Sequence, residues 1–129
     1  MKIIKILYAI VIFVCLTSCK KDKLTGDNKV LVGSWTSIST RANCGVVIGQ
    51  PYNPNLKLEL KEKGTYKLFR DDKKVETGRT LIIDGLVTFE CDEKNSELNG
   101  RKILNFNADT LNIDRNTCKD DYYFRFKKN

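Results

Sequence analysis

Leu56-Lys57-Leu58-Glu59-Leu60-Lys61 alternates apolar and charged residues without a break. Successive side chains of a β-strand point to opposite faces, so this pattern places the leucines on one face and the charges on the other. The period of two continues outward. Gly64 turns the chain into Thr65–Arg70, and Asp71-Asp72-Lys73-Lys74 is a polar turn before Glu76–Ile83. Asp84-Gly85, between Ile83 and Leu86, is a two-residue hairpin signal of type I′, because both positions tolerate positive φ. Leu86–Cys91, Arg101–Phe106, Thr110–Asp114 and Tyr122–Lys128 follow, and Leu31–Thr40 precedes them all, which makes eight strands. No stretch has helical periodicity of useful length.

An open sheet of eight strands exposes two edges, and exposed edges invite aggregation. Closure removes both and leaves a lumen that holds side chains or one small ligand. The expected fold is therefore all-β, an eight-stranded antiparallel up-and-down barrel. A two-sheet sandwich is the alternative that periodicity alone leaves open.

The chain has 129 residues, enough for one domain, with 41% hydrophobic and 30% charged residues. That balance suits neither a polytopic membrane protein nor a disordered tail. Histidine is absent from the sequence, which rules out Ser-His-Asp and Cys-His catalysis. Glu59, Glu76, Glu90 and Asp114 read as outward or loop-edge charges. No carboxylate pair, Gly-rich phosphate loop or metal-ligand cluster stands out, so no enzymatic activity, cofactor or metal is expected.

Residues 1–18 read as a signal peptide. Lys2 and Lys5 are followed by an apolar run of 11 residues, Ile6 to Leu16. As a helix this run would span ~16 Å, about half of a bilayer's hydrocarbon core. Leu16-Thr17-Ser18-Cys19 then resembles the lipobox of bacterial lipoproteins. The resemblance implies that the Cys19 thiol takes a diacylglycerol, that the chain is cut before it, and that the new amino group is acylated. Several acyl chains hold firmly where one is marginal. Residues 19–29, with Lys20-Lys21-Asp22-Lys23, read as the polar tether, and residues 30–129 as the barrel domain. By resemblance to Gram-negative sorting rules, Lys20 after Cys19 implies the outer membrane, at its periplasmic face or the cell surface.

Of 23 basic and 16 acidic residues, 21 and 16 remain once Lys2 and Lys5 leave with the signal, and residues 30–129 carry 17 and 14. The excess of positive charge sits mostly in the signal and the tether, where it favours anionic lipid head groups. No clustered basic and aromatic footprint indicates a nucleic-acid partner.

Gly33-Ser34-Trp35 in the first strand matches the Gly-x-Trp of lipocalins. With Gly64-Thr65-Tyr66, Asp109-Thr110-Leu111 and the closing Tyr122-Tyr123-Phe124-Arg125-Phe126-Lys127-Lys128, it resembles the short lipocalin-like domains of bacterial lipoproteins. The resemblance covers about residues 30–128. It implies a basic residue near the chain end stacked on the Trp, with Lys128 or Arg125 as the candidates. Period-two logic turns Tyr122, Phe124, Phe126 and Lys128 inward and Arg125 outward. Trp35, Phe126 and Lys128 are thus expected to pack at the barrel base.

The mature chain keeps Cys44, Cys91 and Cys118 beside Cys19. With the first strand running upward, all three lie at the end opposite Trp35. First and last strands pair antiparallel in a closed barrel, and a register setting Trp35 against Phe126 nearly sets Cys44 against Cys118. A Cys44–Cys118 disulfide would close about 75 residues, worth roughly 4 kcal/mol in the chain-entropy model. Pairings of Cys91 with either partner stay open. Three thiols on separate strands without His suit structural zinc poorly.

Arg41–Asn55 is a 15-residue connection with Gly45, Gly49, Pro51 and Pro54 among otherwise short turns. Its Val46, Val47, Ile48 and Tyr52 are candidates to close over a ligand, or simply to plug the top. The expected function is non-enzymatic binding of a small apolar or amphipathic molecule in the mouth of a lipid-anchored barrel. The alternative is a filled barrel whose loops, Asp92–Glu97 and Asn116–Asp121, meet another envelope protein.

Overall fold

The structure, a computed structural model, describes residues 21–42, 55–114 and 122–129. A short 3₁₀ helix, Gly26–Leu31, leads into eight strands: β1 (Gly33–Ala42), β2 (Leu56–Leu60), β3 (Thr65–Arg70), β4 (Lys73–Ile83), β5 (Leu86–Glu90), β6 (Lys102–Phe106), β7 (Thr110–Asp114) and β8 (Tyr122–Lys128). Each strand pairs antiparallel with the next, and β1 pairs with β8, so the sheet closes as an up-and-down barrel. The sandwich alternative falls.

The alternation at Leu56–Leu60 fixes the inside. Leu58 faces Trp35 on β1 and Leu68 on β3, and Leu60 faces Tyr66. All three β2 leucines are buried, whereas Lys57 and Glu59 stay on the outer wall and pair with each other at 3.2 Å. Apolar inside and charged outside is the reverse of a membrane-spanning barrel. Asp84 and Gly85 have φ of 52° and 77°, the two positive values of a type I′ turn between paired Ile83 and Leu86. Asp71 and Asp72 repeat this geometry, with φ of 48° and 62°, so β4 starts at Lys73, earlier than the polar composition indicated.

The seam between β1 and β8 is shifted from the expected register. Trp35 faces Lys128, and Phe126 faces Ser37. Ile38 is an extra residue between Ser37 and Ser39, a β-bulge, and pairing then runs up to Ala42 opposite Tyr122. The weakest seam is β5–β6. There Thr88↔Lys102 is the one paired position, extended by Phe89 N–H to the Arg101 carbonyl (2.9 Å) and Gly100 N–H to the Phe89 carbonyl (2.8 Å).

Leu31, expected at the start of a strand, belongs instead to the 3₁₀ helix under the barrel. Gly33, at φ +139°, separates helix from strand, a conformation that L side chains rarely adopt. The stretch read as the polar tether is docked from Asp22 onward. Leu24 is fully buried, and its N–H donates to the Glu62 carbonyl at 3.0 Å. Asp22 N–H donates to the Thr80 carbonyl at 2.9 Å, and its carboxylate accepts from Ile82 N–H at 2.7 Å. The buried Leu24 and these three hydrogen bonds together hold the segment on the base. Gly64 admits it, since a Cβ there would lie 2.2 Å from the Asp22 carbonyl oxygen.

Candidate functional site

The two ends of the barrel differ in chemistry. At the base, Trp35 is fully buried and its indole N–H donates to the Leu31 carbonyl at 2.8 Å. The Lys128 ammonium lies 5.1 Å from the Trp35 ring centre and donates to the Val30 carbonyl at 2.7 Å. Gly33 makes room for it, because a Cβ there would meet Lys128 Cε at 3.1 Å. Phe126 is buried beside this group, and Arg125 is exposed. Trp35, Phe126 and Lys128 thus come together, sealed below by Leu24 and Leu31. The base is a plug and offers no ligand access to Trp35.

Above the plug, Tyr66 and Phe89 meet edge to face, their ring centres 5.0 Å apart at 84°. Gly78 sits opposite Tyr66, and a Cβ there would lie 2.6 Å from the Tyr66 ring and 2.4 Å from the Glu90 carbonyl oxygen. The missing side chain is what lets the phenol lie flat across β4. The Tyr66 hydroxyl then donates to Glu76 at 2.5 Å.

Glu76, expected to face outward, is 3% exposed and points into the lumen. Val75 is an extra residue where the register shifts between Leu68↔Glu76 and Phe69↔Lys74, so Val75 is exposed and the carboxylate turns inward. Three donors meet it: the Tyr66 hydroxyl, the Ser96 hydroxyl at 2.6 Å and the Glu97 backbone N–H at 2.7 Å. A buried carboxylate needs such partners. Burial first, then the hydrogen bond and negative charge of Glu76, hold the Tyr66 phenol neutral well above the usual tyrosine range.

The Ser96 and Glu97 bonds also fold the β5–β6 connection inward. Leu98, from this otherwise polar loop, is fully buried in the core. Arg70, at the top of β3, forms an ion pair with Glu97. Arg101 donates through Nε to the Glu97 carbonyl at 2.5 Å, and its guanidinium lies 4.8 Å from the Phe124 ring centre. The result is a charged shelf of Arg70, Glu76, Glu97 and Arg101 on an aromatic stack. On the outer wall, Arg79 pairs with Glu90 at 2.7 Å and holds its carboxyl below the usual glutamate range.

Cys91 is 7% exposed at the top of β5; its thiol donates to the Thr77 carbonyl at 3.3 Å and accepts from Glu93 N–H at 3.4 Å. Cys19, Cys44 and Cys118 lie outside the described residues, as do Val46, Val47, Ile48 and Tyr52. Among the described residues, no three His, Cys, Asp or Glu side chains are grouped to hold a metal, and no helix is long and apolar enough to cross a membrane.

The site therefore belongs to a closed eight-stranded barrel with an aromatic base and a charged upper lumen. Neither a protein-family model, nor a curated protein, nor a solved structure matches the chain.

Proposed function

We propose that this is a lipocalin-like lipoprotein of the Gram-negative cell envelope, held at the outer membrane through acylated Cys19, which binds a small amphipathic molecule at its open end without chemical turnover. The observation that carries the reading is the change of the lumen from apolar to charged on the way up. Trp35, Phe126, Tyr66 and Phe89 occupy the lower interior, so a ligand sits high. There its polar end would meet Arg70 and Arg101 on the shelf. Val46, Val47, Ile48 and Tyr52 would cover it.

Native mass spectrometry of the protein purified from its own envelope tests this. A retained small molecule that Arg70→Ala releases, with the fold intact by circular dichroism, is the expected outcome. A chain that carries no small molecule overturns the reading.

Leu98 favours a second reading. A loop residue that fills the lumen suits a solid barrel presenting Asp92–Glu97 to another envelope protein. A stoichiometric protein partner, in place of a small molecule, would support that alternative.

A further inference from the structure

Ligand binding at the mouth leaves one corner of the base unexplained. There the Lys21–Leu24 segment lies along β4 where β3 no longer covers it, fixed by the Asp22 bonds to Thr80 and Ile82. The β2–β3 turn flanks it on one side, through the bond from Leu24 N–H to the Glu62 carbonyl, and the lower end of β4 on the other.

The first flank is basic. Lys23, Lys61, Lys63 and Lys67 line an open groove of about 640 Å³ with Glu62 and Thr65. None of the four lysines forms an ion pair among the described residues. The second flank is apolar. Ile82 and Ile83, 39% and 43% exposed, stand at the Asp84-Gly85 hairpin. Exposed aliphatic side chains beside unpaired lysines match the layered chemistry of an anionic bilayer surface, with acyl chains inside and phosphates outside.

Chain length argues for the same partner. Asp22 is fixed to β4, so Lys20 and Lys21 alone separate it from Cys19. An extended chain spans at most ~3.6 Å per residue, which keeps Cys19 within about 11 Å of this corner. An acyl group on Cys19 draws the lysines and the isoleucine hairpin to the head groups and leaves the mouth pointing away.

We propose that this corner is a membrane-docking surface, in which Ile82 and Ile83 enter the boundary between head groups and acyl chains while Lys23, Lys61, Lys63 and Lys67 contact anionic lipid phosphates. The proposal rests on the reading of Cys19 as the lipidated residue.

The test uses the full chain, processed by its host and purified from membranes, in vesicles of phosphatidylglycerol and phosphatidylethanolamine with brominated acyl chains. Ile83→Trp reports from the hairpin and Lys94→Trp from the opposite end, with the buried Trp35 as their common background. Ile83→Trp should be blue-shifted and quenched at least twofold, and Lys94→Trp unquenched. Adding Lys61→Glu and Lys63→Glu should relieve the quenching of Ile83→Trp. Equal quenching at both ends, or none at Ile83→Trp, overturns the proposal, as does a dimer that buries the hairpin away from lipid.

The mass of the mature chain reads acylation of Cys19 separately. With acyl chains present and Ile83→Trp unquenched, the docking surface fails and the anchor stands. Without acyl chains the anchor fails, and the docking surface is then decided by the same quenching of the unlipidated protein added to the vesicles.

Discussion

The Tyr66 hydroxyl donates to the Glu76 carboxylate at 2.5 Å, and it does so across Gly78, whose missing side chain leaves room for the ring. The phenol is held neutral chiefly by burial and then by Glu76. Its pKa is thus higher in the folded chain than in the unfolded one. The stabilisation is full below the ordinary tyrosine pKa of about 10 and is lost as pH rises beyond it, because the unfolded state then releases a proton that the folded state keeps. Urea midpoints of the wild type should fall steeply above about pH 10. Tyr66→Phe should be less stable at pH 7 by about 1–3 kcal/mol, since a donor to a buried carboxylate is lost, and should fall less steeply in alkali. Parallel alkaline slopes for the two proteins would remove Tyr66 from this role.

Gly33 and Lys128 form the corresponding pair at the base. At φ +139°, Gly33→Ala carries backbone strain of order 1–3 kcal/mol and sets a Cβ against the Lys128 stem. Lys128→Met keeps the stem but loses the charge over Trp35 and the donor to Val30, at a cost of about 1 kcal/mol. If Gly33 serves to admit the lysine, the double variant should lose less than the sum of the two single losses. Denaturation curves for the four proteins check this, and strict additivity would separate the glycine from the lysine.

Strict alternation was legible wherever the ladder is regular. Leu56–Leu60 declared its inner face, and Asp84-Gly85 declared its turn, because a period of two and a positive-φ dipeptide are properties of adjacent residues. The bulges are not. Glu76 reads as an outward or loop-edge charge, yet the residue inserted at Val75 turns it inward and builds the charged shelf. The β1–β8 register also differs, with Trp35 meeting Lys128 where Phe126 was expected, and the Ile38 bulge then displaces the pairing by one more residue above Ser37. Gly78 was the available signal, since a glycine within a strand marks a close approach. Leu24 and Leu98 are single apolar residues in charged stretches, and burying one leucine there is a tertiary choice that no periodicity records.

Cys91 distinguishes the possible disulfides. Its thiol is buried and engaged with Thr77 and Glu93, so pairing it elsewhere would mean withdrawing it from the core. Cys44 lies two residues past Ala42 and Cys118 four before Tyr122, and Ala42 and Tyr122 are paired neighbours at the upper end of the seam. A bridge between them would brace β1 against β8 at the upper end of the seam. Peptide mapping without reduction should find Cys44 linked to Cys118. Maleimide should label Cys91 in denaturant and leave it unlabelled in the folded protein. Reduction should then lower stability by up to about 4 kcal/mol, less any strain in the bond. A dominant linkage through Cys91 would instead mean that the top of β5 is pulled out of the position in which it supports Thr77 and the loop carrying Leu98.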